Sequence, residues 1–156
     1  MLGVGSAHGD DQIGWSLIDH LLPTNNTHEI GFEKIAAPGA SLLSYFQRYD
    51  RVLVIDACQQ GMAAGESMLI ADAADHLLLD QAPATGFSSH AFSVVDAYKL
   101  AKELQIPLPH ISLFLIEIEQ TEVMAPISDK LQQRVPDYIQ ALEGHLRHMQ
   151  LDKLDA

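Results

Sequence analysis

The feature that narrows the fold of this chain most is Val52-Leu53-Val54-Ile55, four consecutive apolar residues closed by Asp56. A strand with one wet face alternates apolar and polar residues, whereas an unbroken run suits a strand covered on both faces. A second dense run fills His110–Ile118, and shorter stretches at Leu2–Gly5, His28–Ala36 and Ser67–Ala71 supply further strand candidates. Between them the apolar spacing turns helical. Gly9–Leu22 sets Ile13, Leu17 and Leu21 on one stripe, with Asp10 placed to cap its start and Pro23 to stop it. Ala40–Tyr49 follows the turn Pro38-Gly39 and carries Leu42, Leu43 and Phe46. Ala91–Leu104 points Ala91, Val94, Val95, Tyr98 and Ala101 inward, after a loop over residues 72–89. Pro126–Met149 reads as a long last helix interrupted near Pro136. Strands alternating with helices predict the α/β class, a three-layer αβα sandwich around a mostly parallel sheet of about five strands. No linker or repeat divides it, so residues 1–150 are expected to form one domain and residues 151–156 a flexible C-terminal tail.

Charge removes several classes of partner. The chain has 9 basic and 21 acidic residues, a net charge of −12 with histidines neutral. A field of that sign repels phosphate backbones and anionic lipid, which argues against nucleic acid and membrane partners. One cysteine excludes a disulfide framework and a CxxC metal cage. No apolar run reaches the ~18 residues needed to span a bilayer, and no signal peptide opens the chain. The expectation is a cytoplasmic protein, taken as a monomer.

In open α/β sheets, ligands bind outside the carboxyl ends of the strands. Three segments put polar groups there: Gly3-Val4-Gly5-Ser6-Ala7-His8-Gly9-Asp10-Asp11 after the first strand, Asp56 after the central run, and Ser88-Ser89-His90 before the helix near Ala91. The glycines invite comparison with a dinucleotide loop, G-x-G-x-x-G, whose amides approach a pyrophosphate. Here the third glycine is misplaced, and Asp10 and Asp11 at the helix start would repel a phosphate. Asp11, Asp56 and His90 instead form a candidate three-ligand set. Oxygen plus imidazole suits a borderline divalent ion such as nickel, zinc, iron or manganese better than calcium. Blander roles compete with this: Asp10 or Asp11 as a helix cap, Asp56 as the plain end of a strand. Cys58 reads as packed and inert. His145 and His148, spaced for chelation, read as the solvent face of the last helix. No G-x-S-x-G elbow and no H-E-x-x-H occurs.

Taken in order, the segments resemble the hydrogenase maturation proteases, which trim the C-terminal extension from the large subunit of nickel–iron hydrogenases. Gly3-Val4-Gly5-Ser6 and Gly9-Asp10-Asp11-Gln12-Ile13-Gly14 look like the family's G-x-G-N and G-D-D/E-G-x-G. Ala36–Tyr49 resembles its G-x-x-L-L segment, and Tyr49–Ala57 its Y-D-x-hydrophobic-D-A strand. Ser88–Ala97 is similar to its S-S-H start of a helix, and Ile116-Glu117-Ile118-Glu119 with Ile127-Ser128 to its late I-E and L-S region. The resemblance covers essentially the whole chain. It implies a phosphorylase/hydrolase-like sandwich and a nickel-dependent, aspartyl endopeptidase-like hydrolase whose partner is the large-subunit precursor. It further implies that Asp11, Asp56 and His90 contact nickel carried by that precursor, as both metal-contacting and catalytic residues. Zinc or cadmium would occupy the same site in vitro. A non-catalytic nickel-sensing or chaperone-like module of the same fold is the alternative. Two residues depart from the pattern, Ser6 for asparagine and Gln12 for glycine; glutamine at a left-handed backbone position would be strained.

Overall fold

The computed structural model describes residues 1–23, 29–36, 41–73 and 94–154. The strands are β1 (Leu2–Val4), β2 (Glu33–Ile35), β3 (Arg51–Cys58), β4 (Ser67–Ile70) and β5 (His110–Glu117). A 3-10 turn (Gly9–Gln12) leads into α1 (Ile13–Leu21); α2 (Ser41–Arg48), α3 (Val94–Glu103) and α4 (Asp129–Leu154) follow. The strands form one sheet in the order β2-β1-β3-β5-β4. All pairings are parallel except β4 with β5, which is antiparallel. The apolar runs thus sit at the centre: β3 and β5 pair over their full length, from Arg51 opposite His110 to Cys58 opposite Glu117.

Both faces of β3 are buried, as its sequence requires. Val52, Val54 and Cys58 pack on one side with Leu42, Phe46, Val94, Val95 and Tyr98 from α2 and α3. Leu53, Ile55 and Ala57 pack on the other with Ile13, Leu17, Leu131, Tyr138 and Leu142 from α1 and α4. Those two helical layers make the predicted αβα sandwich.

Three local expectations need correction. β2 is three residues long, shorter than the His28–Ala36 run, of which His28 lies outside the described residues. Asp10 caps nothing: the residue before the 3-10 turn is His8, without a side-chain cap, and Asp10 lies inside the turn with its carboxylate engaged elsewhere. α4 runs from Asp129 through Pro136 to Leu154, without the interruption expected near Pro136. Proline there removes one intrahelical hydrogen bond. The stripe Leu131, Tyr138, Leu142 and Leu146, buried on either side of it, holds the helix together. Residues 74–93, including most of the expected 72–89 loop and the start of the Ala91 helix, lie outside the described residues.

Candidate functional site

The chain runs from β1 outward to β2, then returns to place β3 on the other side of β1. That reversal opens a crevice at the carboxyl ends of β1 and β3, the usual ligand position of such sheets. The glycines of the first segment are explained by packing. A Cβ on Gly3 would lie 2.4 Å from the Gly14 carbonyl oxygen, and one on Gly14 would lie 2.3 Å from that of Val4. Backbone fills the space beside these glycines, so they let α1 press directly on β1; no phosphate is needed to account for them.

Asp11 and Asp56 are brought to this crevice, and both are buried, at 3% exposure each. Burial, then the charge of Asp11, holds the Asp56 carboxyl well above its ordinary value of 3.8, while the Ala57 amide pulls it partly back. Among the described residues, Asp56 Oδ1 has no hydrogen-bond partner. Asp11 Oδ2 accepts a short hydrogen bond from the Ser6 hydroxyl, whose oxygen lies 3.1 Å from Nδ1 of His8. Ser6, where the family pattern has asparagine, therefore still binds the site carboxylate.

Such a pair is what a divalent cation relieves: two desolvated carboxylates with an orphaned oxygen between strands. Among the described residues no group of three or more His, Cys, Asp or Glu side chains is placed to hold a metal. His90, the third member of the predicted set, lies outside the described residues. α3 begins four residues later and precedes the parallel strand β5, so Val94 stands towards the carboxyl end of the sheet.

The adjacent carboxylate, Asp10, has a separate task. It is fully buried and accepts from the amides of Ser128 at 2.6 Å, Glu119 at 3.2 Å and Gln120 at 3.3 Å. Residues 119–128 are thereby fastened against the turn that carries Asp11. Gln12 adds to the fastening, its Nε2 donating to the carbonyls of Ala125 at 2.7 Å and Gly9 at 3.1 Å. Its φ is −72°, so the glutamine sits in an ordinary helical conformation and the strain expected of it does not arise. The acidic pair in the sequence is therefore divided: Asp11 faces the crevice, and Asp10 braces its wall.

Glu117, quoted in the late motif but given no role, organises the opposite wall. Its carboxylate accepts from the amides of Gln60 at 2.8 Å and Gly61 at 3.0 Å, shaping the chain just past Asp56. Cys58 also donates to it, Sγ to Oε2 at 3.5 Å. Burial first, then the Glu117 charge, pushes the Cys58 thiol up to about 12. At pH 8 its thiolate fraction falls about a thousandfold below that of a thiol at 9. Cys58 is thus expected to resist iodoacetamide in the native protein and to react on unfolding, read by mass; rapid native alkylation would refute this.

Other polar features lie apart from the crevice. His145 is half-buried rather than solvent-facing, with Nε2 3.0 Å from the Ser112 hydroxyl. That hydroxyl donates to the Ala71 carbonyl at 2.7 Å, which leaves it no nucleophilic role. His148 is exposed, as expected. A cavity of about 260 Å³ lined by Leu2, Arg48, Tyr49, Arg51 and Met149 opens at the amino ends of β1 and β3. The length of β3 separates it from Asp56. Among the described residues no helix is long and apolar enough to cross a membrane.

Comparison with known proteins agrees with this architecture. The family profile for hydrogenase maturation protease (HycI) matches residues 37–145. The fold is similar to that of a nickel–iron hydrogenase maturation protease HycI from Thermococcus kodakarensis KOD1, with a TM-score of 0.72 at 19% identity over 94% of this chain and 90% of that one. It is similar too to the hydrogenase maturating endopeptidase HybD from E. coli, with a TM-score of 0.68 at 18% identity over 95% and 91%. An Escherichia coli endopeptidase solved in solution gives a TM-score of 0.70 at 18% identity, with 95% and 91% covered. No curated protein matches by sequence.

Proposed function

This chain belongs to the hydrogenase maturation protease family, a family of peptide-bond hydrolases, and on that premise we propose that it removes the C-terminal extension of a nickel-loaded hydrogenase large-subunit precursor. The observation that supports this reading is the buried pair Asp11 and Asp56 at the crevice, with Asp56 Oδ1 unpartnered among the described residues.

Nickel belongs here to the substrate. Asp56 and Asp11 would contact the ion carried by the precursor, with His90 as a third contact and the precursor's own groups in the remaining positions. As a Lewis acid, the ion would supply polarisation of the scissile carbonyl. The chain's residues would do the selecting. Two like charges held close in a dry site repel each other, and a precursor that brings a cation removes that repulsion. A precursor without nickel offers no such compensation and would dwell only briefly. In this way the carboxylate pair would test metal insertion before the extension is cut. Ser6, bonded to Asp11, would help hold that carboxylate in place.

The test is a mass measurement of the large-subunit precursor before and after incubation with the chain, with and without nickel. A shortened subunit in the nickel-loaded sample alone is expected. An unchanged mass in both would overturn the peptidase reading and favour a nickel-sensing module of the same fold.

A further inference from the structure

Residues 119–128 carry a feature that neither the fold nor the carboxylate pair uses. Val123 and Met124 are 76% and 77% exposed, the most exposed large apolar side chains among the described residues, and they are consecutive. They stand on a segment held from several directions. His8 and Val123 form an antiparallel bridge, the Met124 amide donates to the Ala7 carbonyl at 3.2 Å, and the Gly9 amide donates to that of Ala125 at 3.2 Å. Asp10 closes the base of the segment through its three amides. Met124 has φ +60°, a left-handed conformation that a residue with a side chain adopts at a cost. Exposure and strain are both unfavourable in the isolated protein, yet the hydrogen bonds enforce them.

The segment is continuous with the crevice. His8, bridged to Val123, touches Ser6, and Ser6 binds Asp11. A polypeptide whose bond lies over Asp11 and Asp56 must run across a wall of the crevice, and this wall offers two apolar side chains on a fixed backbone. We propose that Val123 and Met124 seat an extended segment of the precursor next to the scissile bond, gripping an apolar side chain there. This specificity contact rests on the peptidase reading above. A rigid backbone keeps the ordering cost of binding low, and the unbranched thioether of methionine adapts to the shape it meets.

The experiment compares the full chain with three variants: Val123→Ser combined with Met124→Ser, Met124→Gly, and Val123→Ile combined with Met124→Leu. Glycine at 124 keeps the left-handed backbone while deleting the side chain, so it separates loss of contact from loss of loop shape. With nickel-loaded precursor, the serine pair is expected to raise KM about tenfold. Met124→Gly should raise it part of the way, and the Ile/Leu pair should restore it. kcat should hold throughout, and the melting temperature should not fall in any of them; in Met124→Gly it should stay level or rise, because glycine takes φ +60° without strain. KM unchanged in the serine pair would overturn the proposal, as would a fall in kcat alone. If the parent chain leaves the precursor intact, the peptidase reading has failed. The same variants are then read as Kd for the precursor by calorimetry: tenfold weakening in the serine pair sustains the contact, and no weakening ends it.

Discussion

Asp56→Asn is expected to abolish processing, to below about one thousandth of the parent rate, while leaving a folded protein that is at least as stable as the parent without metal. Both parts follow from one environment. The carboxylate is 3% exposed, one of its oxygens has no partner among the described residues, and Asp11 presses a like charge on it. A group held this way adds nothing to the fold that a neutral amide of the same shape would lose. What it adds is affinity for a cation.

The pH dependence separates this from a carboxylate that merely ends a strand. Burial and Asp11 raise the native pKa of Asp56 well above 3.8, so the native state holds the proton more tightly than the unfolded chain does. Stability from this group is therefore complete below about pH 4 and is lost as the pH climbs through the native pKa. Asparagine does not titrate and escapes that loss. In chelator, melting temperatures of parent and variant should agree near pH 3.5, and the variant should be the higher at pH 7.5. Adding cadmium or zinc at pH 7.5 should reverse the order, because an ion bound only by the native state stabilises the parent alone. His90→Ala should share the loss of processing. An Asp56→Asn chain that still cuts its precursor, or that melts far below the parent in chelator at neutral pH, would remove Asp56 from the site.

How much of this was legible beforehand depended on the range of the interaction. The central strand could be read from Val52–Ile55 because double-sided burial is written in consecutive residues. Helices α1 and α2 could be read because their stripes are local. The limits of β2 could not: a three-residue edge strand takes its bounds from the neighbour it pairs with. The continuity of α4 was hidden for the same reason, since Pro136 is a local breaker overruled by packing on either side. Within the site, Asp11 and Asp56 stood out by their places after two strands. The division of labour between Asp10 and Asp11 did not, because the amides that take up Asp10 lie 109 to 118 residues away. Local spacing makes any aspartate at a helix start look like a cap. Gln12 is a parallel case. A motif departure suggested strain, and only the fold shows that its amide reaches Ala125, 113 residues on.

Asp10→Ala is expected to cost about 2–4 kcal/mol of stability, the largest loss foreseen for any single polar side chain here. Three backbone amides converge on one fully buried carboxylate, and alanine would leave all three without it. Each stranded donor costs about 1–3 kcal/mol when it stays buried. The sum is not reached because Glu119 and much of the following segment are exposed and can turn to water. For a chain of this length that loss lowers the melting temperature by roughly 5–15 °C. Asp10→Asn keeps an acceptor oxygen but also brings a second donor against the amides, so it should fall between parent and alanine. The variant also bears on the role of the wall. If Asp10 serves only the core, Asp10→Ala should process precursor normally well below its lowered melting temperature. If it braces Val123 and Met124 against the crevice, KM should rise there while kcat moves less. Native-state hydrogen exchange at Glu119, Gln120 and Ser128 would report the cause directly, since these amides should lose protection before those of β3 and β5. Protection unchanged at those three amides would show that the segment holds without Asp10, and would sink the bracing role.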